Sequence, residues 1–321
     1  MSALVEGKGV SKTFEVGGLF GKKRLVQAVR SVDIVVARGE AVGVVGESGS
    51  GKSTLGRVLL GLIPASEGTV AFEGKPLAGQ TPAEWRALRR RMQIVFQDPY
   101  GSLDPRRRVG AQIADGMEFH GVARAERERR VGELLATVGL EPAHAQRFPH
   151  EFSGGQRQRV GIARALAPGP EFLVADEPVS ALDVSIQAQI VELLAGLRRD
   201  LGLALLFISH DLPVVRHLCD RVVVMYLGRV MEEGPARAVF DAPAHPYTRA
   251  LLSATPRVDR AKRLTRILLP GDPPSPSNPP SGCVFRTRCA HASDVCAGAV
   301  PPLEEGPDGR RVACVKWREL G

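Results

Sequence analysis

No apolar run in the sequence is longer than about the nine residues of "LGLALLFIS" (201–209), half of what a bilayer span requires, so a membrane-crossing helix is not expected. The first ten residues lack the apolar block of a secretory signal, and the chain is therefore expected to stay in the cytoplasm. Aromatic residues are only 5% of the total, and none interleaves with the arginine clusters Arg89–Arg91, Arg106–Arg108 and Arg127–Arg130. The net charge of +8 thus comes without a base-stacking platform, and no nucleic-acid partner is expected. Solvated helix faces, or contact with a phosphate, an anionic membrane surface or a protein partner, use the same charges. Cysteines number five, which in a reducing compartment points to thiols or metal ligands and not to a disulfide framework. Internal repeats are also missing.

What is present is ordinary globular material. A hydrophobic content of 44% in 321 residues suffices for one large α/β domain and something smaller. "AVGVVG" (41–46), "EFLVAD" (171–176) and "LALLFIS" (203–209) read as short buried strands, and "GTVAFEG" (68–74) as a half-buried one. "TLGRVLLGLI" reads as an apolar helix stopped before Pro64. "DVSIQAQIVELLAGLRRDLG" reads as another, with Asp183 as cap, a stripe of Ile186, Ile190, Leu193, Leu194 and Leu197, and Gly202 as its end. Between about Pro99 and Leu140, Val131, Leu134, Leu135 and Val138 recur at helical spacing and predict a helical insert. Strands alternating with helices imply a parallel sheet covered on both faces. "PGDPPSPSNPP" (270–280) has six prolines in eleven residues and should run extended, as a domain boundary.

"GESGSGKS" (46–53) fits G-x-x-x-x-G-K-[ST] between a predicted strand and a predicted helix, the context this phosphate-binding pattern needs. Gly46, Gly49 and Gly51 allow a tight turn that converges backbone N–H groups, with those of Ser48, Ser50 and Thr54, on phosphate oxygens at a helix start. Lys52 is expected to bridge the β- and γ-phosphates and Ser53 to hold Mg²⁺. "FLVADE" ends a strand in two carboxylates: Asp176 suits a second Mg²⁺ contact, made through water, and Glu177 suits polarisation of the attacking water. His210, ending another strand, is positioned to contact the γ-phosphate; such a histidine is otherwise a satisfied structural residue.

These motifs resemble the ATP-binding subunits of ABC transporters, over essentially the whole chain. The resemblance implies a P-loop NTPase fold of α/β class, with a RecA-like core, an antiparallel β subdomain and a helical insert (about 98–168). It implies an ATPase domain over 1–260 and a proline-rich linker and small cysteine-rich extension over 261–321. It makes "GESGSGKS" the Walker A loop, "FLVADE" the Walker B strand, "SALD" (180–183) with Asp183 the D-loop and His210 the switch histidine. Gln97 is similar to the Q-loop glutamine that touches Mg²⁺, and Phe14 to the aromatic that stacks on adenine, although an apolar residue near a strand start otherwise belongs to a core. "FSGGQ" (152–156) resembles the signature sequence, with Phe152 where leucine is commoner. Ser153 can cap the following helix, while Gly154, Gly155 and Gln156 leave its first amides as an anion site. In the family this helix start faces the γ-phosphate held by another subunit, so ATP closes a head-to-tail dimer.

"MQIVFQDPYGSLDPR", "AHPYTRALLSA", "FEVGGLFGKKRLVQAVRSVD" and "PPSPSNPPSGCVFRTRC" are similar to the second ATPase subunit of dipeptide and oligopeptide importers. The implied partners are a related ATPase subunit in a heterodimer, two permease subunits and an extracytoplasmic solute-binding protein, with this chain peripheral on the cytoplasmic face of the inner membrane. Related importers carry nickel, glutathione or other small solutes, and a soluble ABC ATPase acting on nucleic acid or protein complexes is the rival reading. Cys283, Cys289, Cys296 and Cys314, spaced C-x5-C-x6-C-x17-C, lack the short spacing of zinc ribbons. The resemblance implies a [4Fe–4S] cluster on them; zinc, with His291 as a substitute ligand, and unligated thiols are the alternatives. Cys219 stands apart on a predicted helix.

Overall fold

The computed structural model describes residues 2–17, 23–98, 101–254 and 266–320. Residues 18–22 and 99–100 of the importer-like stretches, and the expected domain boundary near 260, lie outside the described residues. The chain divides into two compact units, one formed by Met1–Val5, Val36–Glu40 and Phe72–Ile208, the other by Glu6–Val35, Ala41–Ala71 and Ser209–Gly321.

In the first unit, strands β6 (Met92–Val95), β7 (Phe172–Asp176) and β8 (Ala204–Ser209) run parallel, with Met92 opposite Phe172 and Phe172 opposite Ala204. Every residue of β7 and β8 is buried, the state expected of parallel strands that read as unbroken apolar runs. The short β5 (Lys75–Pro76) precedes α2 (Pro82–Arg91), which starts in a capping box between Thr81 and Glu84. Arg91 at its end bridges Glu73 and Glu171, Arg38 meets the same two carboxylates, and the Arg91 guanidinium lies 4.6 Å from the Phe72 ring centre. The predicted helical stretch is present as α3 (Val109–Phe119) and α4 (Arg124–Thr137), with Val131 and Leu135 buried. Arg107 pairs with Asp115 and Arg129 with Glu126, so much of the arginine charge is neutralised locally. Helices α5 (Gly154–Leu166) and α6 (Val184–Leu201) complete the unit, and α6 stops at Gly202, which takes φ 63°.

In the second unit, β1 (Ala3–Val16) lies between β2 (Arg24–Ala37) and β4 (Glu67–Phe72). The fully buried β3 (Ala41–Val45) pairs parallel with β9 (Arg221–Tyr226), and β10 (Arg229–Pro235) returns antiparallel to β9. Helix α1 (Lys52–Leu59) is shorter than expected: Gly61 takes φ 63° and ends it before Pro64 is reached. Asp211 caps α7 (Leu212–Leu218), and α8 (Ala236–Asp241) and α9 (Pro246–Ala254) follow. The proline-rich stretch contains no helix or strand, and its Pro276 carbonyl accepts from the Gln27 amide at 3.4 Å.

Beyond it come α10 (Val295–Gly298), β11 (Glu304–Glu305), β12 (Arg311–Val312) and α11 (Trp317–Leu320). β12 pairs antiparallel with β10, Glu232 opposite Val312, and β11 pairs with β12. The tail thus extends the β3–β9–β10 sheet. It also shares that sheet's core: the Phe285 ring lies 5.4 Å from Tyr226 and 5.3 Å from Tyr247.

Two glycines check this packing. A Cβ on Gly43 would stand 2.3 Å from Val215 Cγ1, so Gly43→Ala is expected to lower stability by about 1–3 kcal/mol through overpacking of β3 against α7. A Cβ on Gly161 in α5 meets nothing within 4 Å, and Gly161→Ala should raise stability by about 0.5–1 kcal/mol. Denaturant unfolding of the two variants should give shifts of opposite sign.

Candidate functional site

In the second unit the segment 46–51 links β3 to α1, the strand–loop–helix context that the phosphate-binding pattern requires. Gly46, Gly49 and Gly51 take φ values of 150°, 77° and 101°. A Cβ on Gly46 would stand 2.1 Å from the Met225 carbonyl oxygen, and one on Gly51 would stand 2.1 Å from that of Ala28. Neither position admits a side chain. Lys52 is only 4% exposed, and its Nζ donates to the carbonyls of Gly46 (2.8 Å) and Glu47 (2.9 Å), closing the loop on itself. The Ser50 hydroxyl is buried without a hydrogen-bond partner, an arrangement that costs about 1–3 kcal/mol. Ser48 and Gly49 are exposed at the tip, and Ser53 and Thr54 are half-buried in the first turn of α1. Phe14 is exposed on β1 with the Lys12 ammonium 5.2 Å from its ring centre, and His210 is exposed directly after β8.

The loop is braced by a residue that motif reading missed. Arg288, from the cysteine-containing tail, donates through Nη1 to both carboxylate oxygens of Glu47, at 3.1 and 2.8 Å, and to the Tyr226 hydroxyl at 3.4 Å. The Glu47 amide in turn donates to the Tyr247 hydroxyl at 2.9 Å. Burial raises the pKa of both tyrosines, which keeps their hydroxyls neutral and available to these partners. The only signal in the sequence is an acid at a variable position of the loop and an arginine in "FRTRC".

In the first unit, β7 ends at Asp176, which is 2% exposed. The next residue, Glu177, takes φ 46°, a left-handed conformation that costs about 1–3 kcal/mol in a non-glycine residue and is concentrated at functional sites. Its amide donates to the Ile208 carbonyl at 2.9 Å, and its Oε2 accepts from Gln97 Nε2 at 3.2 Å. Gln97 and Glu177, 80 residues apart, are thus brought together.

The expected cap at Ser153 forms: its hydroxyl accepts from the Gln156 amide at 3.3 Å, and Gln156 Oε1 accepts from the Ser153 amide at 3.0 Å. The glycines have a packing reason as well, because a Cβ on Gly155 would stand 2.5 Å from Ile186 Cγ2 on α6, and one on Gly154 3.4 Å from Leu182 Cδ2. Phe152 is buried, edge-on to His144 with ring centres 5.5 Å apart, so the larger residue is accommodated. Asp183 stands at the N-cap position of α6 but makes no capping bond through its side chain.

Cys283, Cys289, Cys296 and Cys314 line one cavity of about 20 Å³ together with His245 and His291. All are free thiols, and burial pushes Cys283 up to about 11 and raises Cys289 and Cys314 as well. Among the described residues, no group of three or more His, Cys, Asp or Glu side chains is placed to hold a metal ion. Cys219 is buried at the end of α7. No helix among the described residues is long and apolar enough to cross a membrane.

The bracing of the loop has a measurable consequence. Arg288→Ala leaves the Glu47 carboxylate without its guanidinium, and weakening of Mg·ATP binding by about tenfold is expected, equivalent to about 1.4 kcal/mol. Arg286→Ala, which removes an exposed contact to Ser281, should leave it unchanged; titration with a fluorescent ATP analogue compares the two.

Residues 29–180 match the family model described as ABC transporter, and residues 231–296 match the oligopeptide/dipeptide transporter C-terminal region. A putative peptide import ATP-binding protein of Brucella ovis is 51% identical over 98% of both chains. The oligopeptide transport ATP-binding protein OppF of Haemophilus influenzae is 49% identical, over 92% of this chain and 91% of its own. Among solved structures, a dimeric ATP-binding cassette, MJ0796, bound to ADP and phosphate is 31% identical, with a TM-score of 0.65 over 73% of this chain and 99% of that one. The chain belongs to the ABC transporter ATP-binding family, and within it to the members that carry the oligopeptide/dipeptide transporter C-terminal region.

Proposed function

We propose that this chain is the ATP-hydrolysing subunit of an importer of di- and oligopeptides. The observation that carries the reading is the phosphate loop, held open by two glycines against the carbonyls of Met225 and Ala28, with a buried, unsatisfied Ser50 hydroxyl inside it. The 51% identity to a peptide import ATP-binding protein supplies the substrate class.

The roles follow from the chemistry of each group. Backbone N–H groups of the loop, from Ser48 to Thr54, take the phosphate oxygens, and Lys52 exchanges its two carbonyl partners for the β- and γ-phosphates. Ser53, Asp176 and Gln97 would hold Mg²⁺, which would supply charge neutralisation at the phosphates. Glu177, hydrogen-bonded to Gln97, accepts the proton of the attacking water; His210 supports the γ-phosphate, and Phe14 stacks on adenine. Ser153, Gly154, Gly155 and Gln156, with Asp183 of the D-loop, serve the nucleotide of a second ATPase subunit, so that ATP binding closes a dimer. A related but distinct subunit is the favoured partner. Closure does work only if it is read by permease subunits, to which an extracytoplasmic binding protein delivers the solute. The chain then works at the cytoplasmic face of the inner membrane, where its own residues never meet the solute.

We further infer that the four tail thiols hold a [4Fe–4S] cluster, with zinc the alternative. The donor set supports this: four soft thiols and two imidazoles line one cavity, without a carboxylate. Held by Cys283, Cys289, Cys296 and Cys314, such a group would cross-link the tail and act as a staple for it.

Glu177→Gln is expected to lower ATP turnover by at least about a hundredfold while nucleotide still binds; turnover at the parental rate removes the assigned base. Ser153→Arg should likewise abolish turnover and leave nucleotide affinity of the single chain within about twofold, since the serine serves a partner's nucleotide. A strictly monomeric preparation that hydrolyses ATP at full rate refutes the shared site. Metal analysis of anaerobically isolated protein is expected to give about four iron per chain, lost on Cys289→Ser; about one zinc per chain instead would establish the rival.

A further inference from the structure

A second cavity in the second unit, about 260 Å³ in volume, is lined by Arg30 of β2, Arg229 of β10 and the tail segment 300–303. Arg30 Nη1 and Arg229 Nε are both buried without a hydrogen-bond partner. Among the described residues, no ion pair forms with either guanidinium. Burial lowers the pKa of both, and the charge of Arg229 lowers that of Arg30 further. The one carboxylate on the lining, Asp33, is exposed, and its Oδ1 accepts from the Gly9 amide at 2.6 Å. Two guanidinium groups therefore share a half-closed space with their inner donors unmet, although arginine is the residue least able to shed its charge.

We propose that this cavity binds an oxyanion, the phosphate or carboxylate group of a small ligand, between Arg30 and Arg229. Desolvating two like charges is unfavourable unless a counter-charge arrives, and a guanidinium fork meets a carboxylate or phosphate through two parallel hydrogen bonds. The volume lies just under the roughly 300 Å³ at which pockets for drug-sized ligands begin, so the ligand is small. Met231 and Leu303 on the wall offer apolar contact to whatever carries the anionic group. The placement ties the cavity to the nucleotide site. The Arg30 amide donates to the Gly228 carbonyl at 2.8 Å, and the Gly228 amide donates to the Ser50 carbonyl of the phosphate loop at 2.9 Å. The anion therefore sits on the two residues that flank the turn on which the loop rests.

The test uses the full chain saturated with Mg²⁺ and a non-hydrolysable ATP analogue, so that the phosphate loop is already filled. Inorganic sulfate and glycerol phosphate are titrated in turn, with melting temperature and calorimetry as readouts. Both are expected to bind and to raise the melting temperature, with at least tenfold weaker binding in Arg30→Gln/Arg229→Gln. In anion-free buffer the double variant should melt no lower than the parent, because it loses two half-buried guanidinium charges whose inner donors are unmet; a purely structural role for the arginines predicts the reverse. Should the double variant not fold, either single variant is read in the same way. Vesicles containing phosphatidylglycerol form a further arm: arginine-dependent binding to vesicles that glycerol phosphate competes away assigns the anion to a lipid headgroup, and binding of the soluble anions without arginine-dependent binding to vesicles assigns it to a free solute. Absence of any anion effect on the parent, or an equal effect in the variants, overturns the proposal.

Discussion

The phosphate loop exists because two of its residues have no side chain. Gly46 and Gly51 bring the backbone so close to the carbonyls of Met225 and Ala28 that even a methyl group would collide with them. That contact defines what the rest of the second unit must provide. Met225 lies on β9, next to β3, and Ala28 lies on β2 in the other sheet, so the loop is wedged between two sheets of the same unit. Ser50 is left unsatisfied inside the loop, a cost that charge-assisted bonds to a phosphate would offset.

The tail bears on the same loop. A short cysteine-containing stretch after a proline-rich connector reads as an appendage. Its position argues otherwise: β12 extends the sheet from β10, Phe285 packs with Tyr226 and Tyr247, and Arg288 neutralises Glu47. The tyrosines serve both ends of this link, since Tyr247 accepts from the Glu47 amide while Tyr226 accepts from Arg288. Any device that tightens the tail, a metal staple included, therefore stiffens the nucleotide site, and the tail's value to the chain need not be electron transfer.

Much of this was legible in the sequence, for a physical reason. Strands buried on both faces appear as unbroken apolar runs, and β3, β7 and β8 could be placed from composition alone. α6 was equally plain because Ile190, Leu194 and Leu197 keep helical period up to Gly202. The failures come from contacts with no local signature. α1 ends early because Gly61 turns left-handed, which its apolar neighbours conceal. Asp183 sits where a cap belongs without making the bond. β11 and β12 have two residues each, too few to show alternation, and the Arg288–Glu47 pair spans 241 residues. Gly155 was read as an uncovered amide; its tight fit against Ile186 is a tertiary fact that spacing cannot show.

The signature segment shows how far a single chain goes toward a complete site. Ser153 and Gln156 satisfy one another's amides, and Gly155 lets α5 press onto α6, so the helix start is braced by the chain's own residues. Ser153 stays exposed, while Gly154 is half-buried and Gly155 buried. Under the proposed function, the exposed Ser153 end of α5 meets an anion from outside the chain, the nucleotide bound by a second ATPase subunit. The rigidity then has a purpose: a preformed surface loses little conformational entropy when it closes, so the free energy of ATP binding is left to move whatever is attached to the dimer.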